Sequence, residues 1–277
     1  MVDDYYLLGE NVGASLSPAM MTAAFESTGV DARYRALSVP RGEFRDRFLE
    51  LRPGTAGMNL TIPYKSDVLA LLDSLDEVSA RISAVNVVKN SGGIWHGYNT
   101  DVQGITAPLG ERVGAARLER ALLIGAGGAA RAFCEAMSQM GCREITVTTR
   151  DPKKGHSFAD EMARIFPAIR FEVIGIDRLL GSDAGLVFNA TPLGGAGMPL
   201  PEAVKRVIYG EQIVFDAVYR PMKTELLKTA EARGCRVIHG YEMLLNQGTG
   251  AFEIWTGKKA PAQVMRQALL GALEAGS

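Results

Sequence analysis

The chain has 277 residues, with 30 Lys and Arg against 31 Asp and Glu, and 47% of its residues are apolar. That balance leaves no surplus of cations to follow a nucleic-acid backbone, and the apolar content excludes a disordered chain. No apolar run reaches the roughly 18 residues of a membrane span, and the acidic start Met1-Val2-Asp3-Asp4 is unlike a secretory signal.

In chain order, β-branched and aromatic runs predict strands at Tyr5–Leu8, Ala32–Ser38 and Gly57–Ile62. A helix is expected over Pro18–Thr28, with Ser17 as its N-cap, Pro18 at the first helical position and Gly29 just past its end. Met21, Ala24 and Phe25 share one face of it by i, i+3, i+4 spacing. A second helix is expected over Lys65–Leu75. From about residue 119 the pattern changes. The apolar run Ala121–Ile124 is followed by a glycine cluster, a helix over Ala129–Met140 and a strand at Glu144–Thr148. Further strands are expected at Phe171–Ile174, Gly185–Asn189, Ile213–Ala217 and Arg236–Ile238, and helix from Gly240 to the end. Continuous apolar strands alternating with helices predict an α/β protein whose parallel sheet is covered on both faces. The change of pattern puts a boundary near residue 103. Cys134, Cys142 and Cys235 form no C-x-x-C pair, which fits a reducing, cytoplasmic compartment. With His96, His156 and His239 they show no metal-ligand spacing.

Two groups of residues carry chemistry. The first is Gly125-Ala126-Gly127-Gly128-Ala129-Ala130, a G-x-G-x-x-A turn between a strand and a helix. The first glycine permits the tight turn and the second lets backbone approach a pyrophosphate. Small Ala130 lets helix and strand close up, and the helix start offers free N–H groups to phosphate. The next strand ends in Thr149-Arg150-Asp151-Pro152-Lys153-Lys154. Arg150, with Lys153 or Lys154, suits a ribose 2′-phosphate and favours NADP. Asp151 would instead accept a ribose hydroxyl, leaving NAD as the weaker choice, and a solvated basic loop is the plain alternative.

The second group is polar. Lys65 is expected in the first turn of its helix, where the dipole disfavours a cation and would lower the amine's pKa, as a proton-transfer group requires; an exposed lysine is the alternative. Asp101 is either the N-cap of the next helix or the partner of Lys65. Ser17 has a role as a cap, whereas Ser15 has no evident structural task. Asn86 follows the apolar run Ile82–Val85 and could hold a loop, and Gln247 lies on the helix after Gly240.

Taken together the chain resembles the shikimate dehydrogenases. Ser15-Leu16-Ser17-Pro18 is similar to that family's S-x-S-P turn, and Asn59 to Lys65 (N-L-T-I-P-Y-K) to its N-V-T-x-P-x-K. Ala84-Val85-Asn86 and Asn99-Thr100-Asp101 resemble its A-V-N and N-T-D, and Asn189 to Gly194 its N-A-T-x-x-G. Asp216-Ala217-Val218-Tyr219-Arg220-Pro221 with Thr224 and Leu227, and Gly240 to Leu244 with Gln247, complete the set in order. The resemblance implies reversible, NADP-dependent reduction of 3-dehydroshikimate to shikimate, a step toward chorismate and the aromatic amino acids. It implies Lys65 and Asp101 as the catalytic pair. Ser15, Ser17, Thr61, Asn86, Tyr219 and Gln247 would bind the substrate. Gly125, Ala126, Gly127, Gly128, Ala129, Thr149, Arg150, Lys153 and Lys154 would bind the nucleotide, with Ala217, Gly240 and Met243 near the nicotinamide. It further implies two α/β domains with the site in a cleft. Residues 1–102 plus 241–277 would form the substrate domain, and 103–240 a Rossmann NADP domain, in a monomer or homodimer without nucleic-acid or membrane partners. Ala14, Val87, Val102 and Asp151 depart from the family's usual His, Thr, Gly and Thr. The rival readings are a quinate/shikimate enzyme using NAD or NADP, and a non-catalytic NADP-binding regulator.

Overall fold

The computed structural model describes residues 2–113, 118–195 and 197–275. Its contacts divide the chain into two compact units, residues 1–104 with 244–277, and residues 105–243.

The first unit is built on a six-stranded mixed sheet. Its strands are β1 (Asp3–Gly9), β2 (Ala32–Ser38), β3 (Thr55–Leu60), β4 (Ser74–Leu75), β5 (Val87–Ser91) and β6 (Ile94–Tyr98), in the order β2-β1-β3-β5-β6-β4. β1 pairs in parallel with β2 and β3, whereas β5 is antiparallel to both β3 and β6. The β5–β6 hairpin turns through Gly92 and Gly93, both at positive φ, where a side chain would be strained. Three helices precede residue 83: α1 (Ser17–Thr28), α2 (Phe44–Leu51) and α3 (Glu77–Ile82). Phe44 and Phe48 of α2 join Met58, Leu60, Tyr64, Val88 and Trp95 in one buried cluster. Tyr5 of β1 stacks on Phe25 at 5.1 Å and meets Trp255 at 4.8 Å. Trp255 also donates its indole N–H to the Val88 carbonyl at 2.9 Å. Gly57 lies under that indole, where a Cβ would collide with it.

Two of the expected helices differ. Residues 61–66 form a turn, followed by a 3-10 helix at Asp67–Leu71 and then β4. Lys65 therefore stands outside any helix and not in the first helical turn that the sequence predicts. The turn wins because Tyr64 is driven inward, stacked on Phe44 at 4.0 Å, with its hydroxyl donating to the Val39 carbonyl. Helix α1 begins one residue early, at Ser17. Its N-cap position is Leu16, without a side-chain cap, so Ser17 is not the cap. The expectation also passed over α2, α3 and the β5–β6 hairpin.

The second unit is an all-parallel sheet of β7 (Arg120–Ile124), β8 (Glu144–Thr149), β9 (Arg170–Gly175), β10 (Leu186–Asn189), β11 (Ile213–Asp216) and β12 (Arg236–Ile238). The order is β12-β11-β10-β7-β8-β9, that of a doubly wound sheet, and the progression of strands along the sheet switches sides between β7 and β10, which pair in parallel. Its helices are α4 (Asp101–Val113), which starts in the first unit, α5 (Gly128–Gln139), α6 (Pro152–Ile165), α7 (Glu202–Arg206) and α8 (Glu225–Ala232). β7 from Ala121, β10 and β11 are buried on both faces, which explains the apolar runs Ala121–Ile124, Leu186–Phe188 and Ile213–Phe215. Helix α9 (Gly240–Thr256) crosses the unit boundary, and α10 (Ala262–Ala275) ends the described chain. Among the described residues no helix is long and apolar enough to cross a membrane.

Candidate active site and dinucleotide site

In the first unit the polar residues converge on Lys65 and Asp101. The Lys65 ammonium donates to Asp101 Oδ2, and the two side chains are only 12% and 4% exposed. Such a pair is held in a setting of low effective dielectric, where orientation is fixed and screening is weak. Asp101 opens α4 but does not cap it. Asn99 Oδ1 accepts the backbone N–H of Asp101 at 3.0 Å and of Val102 at 3.4 Å. Asn99, named above only as part of N-T-D, thus serves as the cap, and the Asp101 carboxylate is left for Lys65.

Asn86 holds the other side. Its amide donates to Asp101 Oδ1 at 3.0 Å, to Thr100 Oγ1 at 3.0 Å and to Gln247 Oε1 at 3.3 Å. Its carbonyl accepts the Thr100 N–H at 2.7 Å. Asn86 therefore does hold a loop, and that same loop carries the aspartate. Gln247 is anchored through Nε2 to the Leu244 carbonyl at 2.8 Å. Ser15 Oγ accepts the Ser17 N–H at 3.2 Å and lies 3.3 Å from Ser17 Oγ, so the two hydroxyls form one polar turn at the start of α1. Thr61 is half-buried at the end of β3, with its methyl over Gly9. Tyr219 lies in the second unit, on the loop after β11.

In the second unit the glycine turn follows β7. Gly125 has φ of 114°, and a Cβ there would come within 2.7 Å of Thr191 Cγ2 from the loop after β10. Gly127 occupies the N-cap position of α5, and Gly128 and Ala129 form its first turn. A cavity of about 200 Å³ lies at this switch point, lined by Gly125, Ala126, Thr149, Arg150, Lys154 and Thr191 among others. Thr148 Oγ1 also faces it, buried and without a hydrogen-bond partner. An open helix start, an arginine and an orphaned hydroxyl at one cavity fit a phosphate-bearing dinucleotide. Lys153 is exposed and is not part of that lining. Asp151 caps α6, accepting the N–H groups of Lys153 at 3.0 Å and Lys154 at 3.5 Å. One oxygen of its carboxylate is thereby engaged by the helix, while the residue also lines the cavity. Gly240 starts α9 so close to the β11 loop that a Cβ would lie 2.6 Å from the Ala217 carbonyl. Met243, one turn on, is buried.

Neither Thr191 nor Thr148 was singled out from the sequence. For Thr191 the signal was in the N-A-T-P-L-G stretch; for Thr148, inside a strand, there was none. Asn189 donates to the Leu193 carbonyl and to Asp216 Oδ1, both at 2.9 Å, and accepts Thr191 Oγ1–H at 2.7 Å. Asp216 also accepts the Thr224 hydroxyl at 2.6 Å and the Val218 N–H at 3.0 Å. The motif residues Asn189, Asp216 and Thr224 thus set the loops around the cavity.

Two predictions arise here. Gly125→Ala should cost about 2 kcal/mol or more, from the strained φ and the clash with Thr191. A melt together with an NADPH fluorescence titration should show both lower stability and at least about tenfold weaker binding. The second concerns pH. Burial pushes the Asp216 carboxyl up to about 6, from 3.8 when unperturbed. Between those values the folded chain holds the proton and the unfolded chain has lost it. The stability it contributes is therefore present below about pH 4 and is lost as pH rises to about 6. Relative to Asp216→Asn, the native chain should lose on the order of 3 kcal/mol between pH 4 and 7 in denaturant titrations. A pH-independent difference would contradict this assignment.

Comparison with known proteins bears on both units. The family model "Shikimate dehydrogenase substrate binding domain" matches residues 7–88. "Shikimate / quinate 5-dehydrogenase" matches 110–191, and "Shikimate 5'-dehydrogenase C-terminal domain" matches 240–270. A protein of Symbiobacterium thermophilum named shikimate dehydrogenase (NADP(+)) is 38% identical, covering 97% of this chain and 94% of its own. The Thermus thermophilus shikimate 5-dehydrogenase solved with NADP(H) and shikimate superposes with a TM-score of 0.84 at 35% identity, covering 99% of this chain and 100% of its own. The quinate dehydrogenase of Corynebacterium glutamicum, solved with NAD, gives 0.85 at 30% identity, covering 98% and 99%.

Proposed function

The chain belongs to the shikimate dehydrogenase family, and from that premise we propose that it reduces 3-dehydroshikimate reversibly to shikimate with NADPH, on the route to chorismate. The observation that carries the reading is the buried Lys65–Asp101 pair, fastened by Asn86 in the unit that matches the substrate-binding model. Bound NADPH supplies the hydride. The Lys65 ammonium faces the ketone oxygen, stabilises the negative charge that develops there and gives it a proton; in reverse, the neutral amine takes that proton back. Asp101 fixes the ammonium and accepts a hydrogen bond from a neighbouring substrate hydroxyl. Asn86 keeps the Asp101 carboxylate from turning. Ser15, Ser17, Thr61, Tyr219 and Gln247 bind the substrate's carboxylate and hydroxyls.

The second unit holds the dinucleotide. Gly125 to Ala129 receive the pyrophosphate, Thr149 with Arg150 and Lys154 the adenosine end, and Ala217, Gly240 and Met243 the nicotinamide. Lys153 adds charge from outside the cavity. Arg150 supports NADP over NAD. The reading places the enzyme in the cytoplasm, supported by three free thiols, as a monomer or homodimer. Absorbance at 340 nm with shikimate or quinate and NADP⁺ or NAD⁺ tests it. Shikimate with NADP⁺ should give by far the highest kcat/KM. Comparable quinate or NAD⁺ rates would transfer the chain to the quinate/shikimate reading, which the likeness to the Corynebacterium glutamicum enzyme keeps in view. No turnover, with NADPH still bound, would leave a regulator.

A further inference from the structure

A larger cavity, of about 510 Å³, is lined by Arg150 and by the end of β9. Arg150 and Ile176 line both this cavity and the dinucleotide cavity. Its walls are Pro152 and His156 of α6, the end of β9, and Asp177 and Arg178 of the 3-10 turn Ile176–Arg178. Among the described residues, neither Arg150 nor Arg178 has an ion-pair or hydrogen-bond partner. Two guanidinium groups without hydrogen-bond or ion-pair partners that line one cavity can act as an anion receptor. Asp177 on this cavity and Asp151 on the adjoining one carry the opposing charges, and Lys154 on the adjoining cavity adds a third cation.

We propose that Arg178 is a second determinant of cofactor choice, gripping the ribose 2′-phosphate from the side opposite Lys154, with Arg150 between them. The inference rests on the reading that the second unit holds NADP. The residue comes from the turn after β9, some 28 positions beyond Arg150 in the chain, so the local motif around Arg150 does not contain it.

The test compares Arg178→Ala, Arg178→Lys and Arg150→Ala. Arg178 is exposed, and its removal leaves no buried group unpaired. Arg178→Ala should raise Kd for 2′,5′-ADP about tenfold and lower the NADP⁺/NAD⁺ ratio of kcat/KM by a similar factor. Arg178→Lys should recover most of it, and the KM for shikimate should stay put. A general structural defect would instead weaken 5′-AMP as much as 2′,5′-ADP. An unchanged ratio in Arg178→Ala, alongside a lowered one in Arg150→Ala, overturns the proposal and leaves the NADP site standing. An unchanged ratio in both removes the 2′-phosphate reading itself.

Discussion

Lys65→Ala should lower kcat at least about 10³-fold while moving the KM for shikimate by less than about fivefold, since general acid–base transfer and charge stabilisation act in the transition state. The geometry explains the size. Lys65 stands outside any helix; its backbone carbonyl accepts the Val85 N–H at 2.7 Å, and its ammonium is paired with a carboxylate that is almost fully enclosed. No other cation among the described residues pairs with Asp101. The substitution also leaves that carboxylate buried without its cation, which costs roughly 3–5 kcal/mol in comparable pairs. A melt is therefore run beside the kinetics, and turnover is normalised to the folded fraction of Lys65→Ala. If activity per folded molecule is near normal, the loss was one of folding. If it stays low in a folded protein, Lys65 carries the proton, whereas Lys65→Ala/Asp101→Asn should regain stability without regaining turnover. Near-normal turnover in Lys65→Ala would remove it from the mechanism.

Arg150→Ala should lower kcat/KM for NADP⁺ about 100-fold relative to NAD⁺, the scale of one or two charge-assisted hydrogen bonds to phosphate. The adjacent residue gives the control. Asp151 follows Arg150 in sequence and reads as a rival to phosphate, yet its carboxylate accepts two N–H groups of α6. Asp151→Ala should therefore cost about 1 kcal/mol of stability as a lost cap, and change cofactor preference by less than about threefold. Stopped-flow or steady-state kinetics with both cofactors separate these outcomes. A preference that shifts with Asp151 rather than Arg150 would reverse the assignment.

Much of this was legible in the chain. The strands of the second unit are short apolar runs because β7, β10 and β11 are buried on both faces, and such runs need no partner to be recognised. The glycine turn is equally local: Gly125 needs its positive φ, and Gly127 stands where a helix must begin. The first unit was less readable. The 61–66 turn looks helical by composition, but Tyr64 finds its stacking partner and its hydrogen-bond acceptor elsewhere in the fold, and packing decides. The β5–β6 hairpin carries lysine and asparagine at Lys89 and Asn90, whose partners Ile254 and Thr55 are distant in the chain.

The candidate site divides in the same way. Residue types and order in N-x-T-x-P-x-K, A-V-N and N-T-D, with the glycine turn, carried the resemblance to the family, and that resemblance implied the reaction; the glycine turn and Arg150 pointed to the cofactor by their own chemistry. Tertiary structure alone decided what each polar group does. It gave the cap of α4 to Asn99 and so released Asp101, engaged one oxygen of Asp151 with α6, made Ser15 the acceptor of the Ser17 N–H, and put Thr191 against Gly125. A carboxylate or hydroxyl has several possible partners within its own turn and several beyond it. Which of them it meets is settled by where the packed core sets the backbone, and no local pattern records that.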